Sequence, residues 1–205
     1  RALTTAQVNS LTTAQVHGLS TDELNELTTD QFAKLATGQV QALSASQLSH
    51  LVTDNLNAMG TGQFAVLTST QFGALTTDQL SKMETADLRA VTTGALSALS
   101  SDQINSLSSD EVANLGTNQV ASLSTAQVKG LTANDMTALG TAQVGVLNSA
   151  QIQALNTDQL SAIDAGDMKA LTTGALRALS NAQIDGLTSD QLRALTTAQV
   201  NSLTT

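Results

Sequence analysis

The chain has no Pro, Cys, Trp or Tyr, and its only aromatic residues are Phe32, Phe64 and Phe72. Without Cys there is neither a disulfide nor a thiolate metal site, and compartment stays open, because secreted proteins can also be held by long repetitive cores. With so few rings the core must be aliphatic, and there is no aromatic platform for stacking bases. Positive charge is scarce: eight Lys and Arg against seventeen Asp and Glu give a net charge of −9. That balance removes the basic footprint that phosphate contacts need, so no nucleic acid and no anionic membrane surface is expected as a partner. It favours solubility and self-repulsion instead. No apolar run approaches the roughly 20 residues that cross a bilayer, so no membrane insertion is expected. Arg1 starts in mid-pattern with no signal peptide ahead of it, which reads as a segment of something longer.

What the 205 residues do contain is a repeat, and 41% apolar content is enough for a core. An apolar residue stands at position 3 and at every eighth position through Leu203; of these 26 sites 22 are Leu, the others being Met59, Met83, Val91 and Ile163. Calling this site a, Leu11-Thr12-Thr13-Ala14-Gln15-Val16-His17-Gly18 runs from a to h. Every f site is apolar as well, from Val8 to Val200. The phase never slips, so residues 1–205 read as a single uninterrupted octapeptide array.

The alternating spacings of five and three decide the secondary structure. A strand would put a and f on opposite faces. One long helix would carry its apolar stripe about 80° further round with each octad, so no single core could receive it. A new helix start in every octad fits. Site b is Ser or Thr in 17 of 26 cases and Asn, Asp or Gly in six more, and site e, three residues on, is Gln or Glu in 19 of 25. That is a capping box, with a and f placed as the two halves of a hydrophobic staple. Site c is Ser or Thr in 22 of 26 octads, so a cap one residue later remains open. Charge placement agrees: all eight Lys and Arg lie at g or h, and fifteen of the seventeen acids lie at b to e, as the helix dipole favours.

Helices this short are unstable alone. They must stack, with f and the following a forming an aliphatic spine, and with site h, which is Ala, Ser or Gly in 19 of 26 octads, allowing close approach. The expected fold is an all-α solenoid, a superhelix of very short helices with one per eight-residue repeat. Longer periods lie on top: residues 83–104 align with 163–184, and residues 1–13 are identical to 193–205. Terminal octads that keep the interior pattern point to self as partner, by head-to-tail continuation or stacking.

Octads such as LTTAQVNS, LTTDQFAK and LSTAQVKG resemble the LTTxQ-type repeat tracts of very large secreted or surface proteins of Gram-negative bacteria, often labelled as adhesins. The resemblance covers the whole chain. It implies an extracellular or cell-surface location, a structural or adhesive role and a surface or matrix ligand, and it brings no catalytic residues.

Reactive groups are few. His17 and His50 are the only histidines; at g and h they read as surface residues, too few for a triad or a zinc site. The carboxylate pairs Asp22-Glu23 and Asp110-Glu111 lie at helix starts, where the dipole accounts for them. Neither a glycine-rich calcium ladder nor a twelve-residue EF-hand loop is present. No catalytic, metal or cofactor-binding residue is therefore expected, and an enzyme is the least supported class. The leading expectation is a stalk, spacer or filament core; the alternative is a module that binds ice, glycan or protein through its regular Ser/Thr hydroxyl rows.

Overall fold

The computed structural model describes residues 3–203. Among the described residues there are twenty-four α-helices of four to six residues, one 3-10 turn and no strand. This is the all-α solenoid expected from the octads. Every α-helix has its N-cap at site b, with extended backbone there, which settles the choice between b and c. At Thr12, for example, the hydroxyl accepts from the Gln15 N–H at 3.2 Å while Gln15 Oε1 accepts from the Thr12 N–H at 2.9 Å. Where b has no hydroxyl, as at Ala36 or Gly60, only the Gln half of the box forms, at 2.8 Å in both.

Octad 163–170 departs from the expectation. Asp164 reads as a cap, but its Oδ1 accepts from the Gly166 N–H, two residues on, at 2.7 Å. This Asx-type turn competes with the helix start, and Gly166 weakens any helix that would follow. The chain turns instead and makes only the 3-10 helix Met168–Ala170. Ile163 and Met168 nevertheless stay buried, so the apolar phase survives the loss of the helix.

The chain forms two compact units, Arg1–Leu99 and Ser100–Thr205. In the first, helices pair three octads apart, as Thr13–Gly18 does with Thr37–Ala42 and Ser69–Gly73 with Thr93–Leu96. The second repeats the rule, with Ser101–Asn105 on Thr125–Gly130 and Thr125–Gly130 on Ser149–Ala154. One turn of the solenoid is thus three octads. Among the described residues no helix is long and apolar enough to cross a membrane.

The two apolar rows face opposite ways along the solenoid. In the first turn of the first unit f is already buried (Val8, Val16, Leu24), while Leu3 is 42% exposed and Leu11, Leu19 and Leu27 are half-buried. In the last turn of the second unit the order reverses: Leu187 and Leu195 are buried, whereas Leu192 is exposed and Val200 is 48% exposed. Site f therefore packs toward the following turn and site a toward the preceding one. Each buried side chain stabilises by roughly 1.5–3 kcal/mol, which is what holds helices too short to stand alone.

Small h residues bring turns together. A Cβ on Gly130 would lie 2.4 Å from the Ser101 carbonyl oxygen, while one on Gly38 would meet nothing within 4 Å. Gly130→Ala should therefore destabilise by about 1–3 kcal/mol through overpacking. Gly38→Ala, inside the helix Thr37–Ala42, should stabilise by about 0.5–1 kcal/mol. Chemical denaturation of the two variants tests this opposition of sign.

Candidate functional site

The feature that recurs in every turn is the side chain at e. Its Oε1 closes the local cap, which leaves the amide nitrogen free to point out of the octad. In the first unit Gln71 Nε2 donates to the carbonyls of Val40, Gln41 and Leu43 at 3.0, 3.2 and 2.7 Å. In the second, Gln151 Nε2 reaches Val120, Ala121 and Leu123 at 2.9, 3.4 and 2.9 Å. These acceptors are the f, g and a carbonyls at the end of a helix and in the link after it, 28 to 31 residues back; a helix C-terminus leaves such carbonyls short of donors, and among the described residues only the f carbonyl has another here, the N–H of the following a residue. One Gln thus caps the start of its own helix and the end of another, clipping successive turns together. Gln71 and Gln151 are buried, and burial of an amide is tolerated only when its donors and acceptors are engaged. Gln7 and Gln15, in the first turn, are exposed and make only the local half.

Reading e as a capping-box residue finds half of this site. The missed signal lies in the choice of amide over acid: e is Gln in 17 octads and Glu in two. A capping box accepts either, and the helix dipole favours Glu. A preference for Gln calls for a donor, and the donor is the inter-turn bond.

The groups considered for chemistry are used locally. His17 Nδ1 lies 2.9 Å from the Ala42 carbonyl oxygen; His50 Nδ1 lies 2.8 Å from that of Ser46 and 3.1 Å from Ser49 Oγ; both rings are exposed. In the pair Asp22-Glu23, Glu23 accepts from the Ser20 N–H and hydroxyl, each at 2.8 Å. Those bonds, the backbone one first, hold its carboxyl below the usual range. Glu111 of the other pair caps Ser108 in the same way. Among the described residues no group of three His, Asp or Glu side chains is placed to share a metal ion. The b hydroxyls of the Ser/Thr rows are engaged as cap acceptors, and the c hydroxyls of Ser69 and Ser149 donate to the carbonyls of Gly94 and Gly174. The ion pairs Lys82–Asp78 and Arg193–Asp190 are solvent-exposed and contribute little.

A family profile described as the ALTTAQ repeat matches residues 1–29, 49–83, 80–117, 133–164, 160–197 and 176–205. The chain belongs to the ALTTAQ repeat family. The six letters occur as such at residues 2–7 and 194–199 and spell sites h, a, b, c, d and e. In structural terms an ALTTAQ unit is the close-approach residue, the backward-facing core residue, the cap, two helix-start positions and the clip. Curated proteins contain no match to the chain.

Proposed function

We propose that this ALTTAQ-repeat chain is a structural segment, a stalk, spacer or filament core at or outside the cell surface, and not an enzyme. The observation that carries the reading is the complementarity of the two faces of a turn. One face presents a-site side chains and Gln amide donors; the other presents f-site side chains and carbonyl acceptors. Each turn is both plug and socket, so the array has no intrinsic length, and continuation head-to-tail uses contacts already made at every interior turn. Leu3 and Gln7, exposed in the first turn of the first unit, and Leu192 and Val200, exposed in the last turn of the second, are side chains of the two kinds that meet at interior turns. Residues 1–13 and 193–205 are identical in sequence at a shift of 24 octads, a whole number of three-octad turns. The engaged b hydroxyls speak for this reading over a glycan- or ice-binding face.

Light scattering and electron microscopy of the purified segment at rising concentration test the proposal. Rods of constant width that lengthen with concentration are expected; a monomer at every concentration would exclude end-to-end association of separate copies. Antibodies to the segment should label intact source cells, and labelling only after permeabilisation would contradict the location.

A further inference from the structure

Three octads carry Asp at the clip position, and one of them is unlike the others. Asp is one methylene shorter than Gln and, ionised, has no proton to donate. Asp135 accepts from the Thr132 N–H at 2.7 Å and from Ser109 Oγ at 2.8 Å, and Asp167 accepts from the Thr141 hydroxyl. Asp87 is only 5% exposed, yet its carboxylate has no hydrogen-bond partner among the described residues. The groups around it are short of partners too. Among the described residues the N–H of the exposed Glu84, which a clip residue accepts in other octads, has no protein acceptor, and Asn57 Oδ1 is buried without a partner. At the same octad site four octads earlier, Asn25 Oδ1 accepts from the Val52 N–H at 2.9 Å.

The register places Asp87 opposite acceptors. Gln71 reaches carbonyls 31, 30 and 28 residues back; from Asp87 the same separations fall on Leu56, Asn57 and Met59. An amide at this position brings hydrogens toward such carbonyls, whereas a carboxylate brings only oxygens. Two things can relieve such a cluster: removal of the charge, or a donor.

We propose that Asp87 is a proton-operated clip, its carboxyl donating its one proton to the Leu56 or Met59 carbonyl when protonated and releasing the joint between octad 83–90 and the preceding turn when ionised. Burial, and then the neighbouring Glu84 carboxylate, push the Asp87 carboxyl up to about 6. Among the described residues of the first unit no cation is paired with Asp87. On its own octad Arg89 is exposed; the packed helix Thr61–Phe64 has no titratable side chain; Asp54 of octad 51–58 is exposed; and Lys82 is paired with Asp78 in solvent. Octad 91–98 is uncharged. Because the folded value lies above the ordinary 3.8, the folded chain holds the proton more tightly than the unfolded chain. The stability it confers is complete below about pH 4 and is lost as pH rises through about 6.

Hydrogen exchange of residues 51–66 and 83–90, corrected for intrinsic rates, tests this in the wild type and in Asp87→Gln and Asp87→Asn. From pH 6 to pH 4 the wild-type opening constant should fall by up to about tenfold per pH unit relative to both variants. Equal pH dependence in all three would overturn the proposal. Carboxyl carbon NMR on the wild type decides independently of how the variants fold. A midpoint near 6 for Asp87 is expected, and one in the ordinary carboxylate range would overturn it.

Discussion

Leu160→Asp should destabilise the second unit by more than about 4 kcal/mol, because it places a carboxylate at a fully buried f site among aliphatic neighbours with no partner to receive it. The same substitution at the same octad site, Val200→Asp, should cost under about 0.5 kcal/mol, since Val200 is exposed in the last turn. In a solenoid each turn depends on its neighbours, so damage at Leu160 should unravel the turns on either side before the remainder. Helical circular dichroism on heating checks this: an early partial loss is expected for Leu160→Asp and a melt close to wild type for Val200→Asp. Similar curves would mean that f does not line the core.

The second large effect concerns the clip. Gln151→Ala should cost about 2–4 kcal/mol, because truncation strands the Asn148 N–H, which Gln151 Oε1 accepts at 2.9 Å, and the Leu123 carbonyl, and takes one of two donors from the Val120 carbonyl. Each buried polar group left unmatched costs about 1–3 kcal/mol. Gln7→Ala loses only the box at Thr4 in an exposed turn and should cost under about 1 kcal/mol.

Local chemistry was legible in the sequence and inter-turn chemistry was not. The cap at b and the box at e are complete within four residues, so spacing alone reveals them. The three octads in each turn follow from helix pairings such as Ser69–Gly73 with Thr93–Leu96, for which no local pattern exists. Asp164 misleads because Asp can bond two residues on as readily as three, and Gly166 tips the choice. The match of residues 83–104 with 163–184 does have a structural counterpart. Both contain an octad with Ala at e, Ala95 and Ala175, and in both a Ser from the preceding turn, Ser69 or Ser149, donates to the Gly94 or Gly174 carbonyl.

The most direct test of the account is the near-isosteric pair Gln151→Glu and Gln7→Glu, compared by thermal melting at pH 7. Glu keeps the oxygen that closes the local cap and removes the two hydrogens that bind the turn behind. If turns are clipped by the e-site amide, Gln151→Glu should lower the melting temperature by several degrees, while Gln7→Glu, where no turn is clipped, should leave it unchanged or slightly raised. Equal shifts for the two variants would show that glutamine acts only as a cap, and would contradict the inter-turn clip.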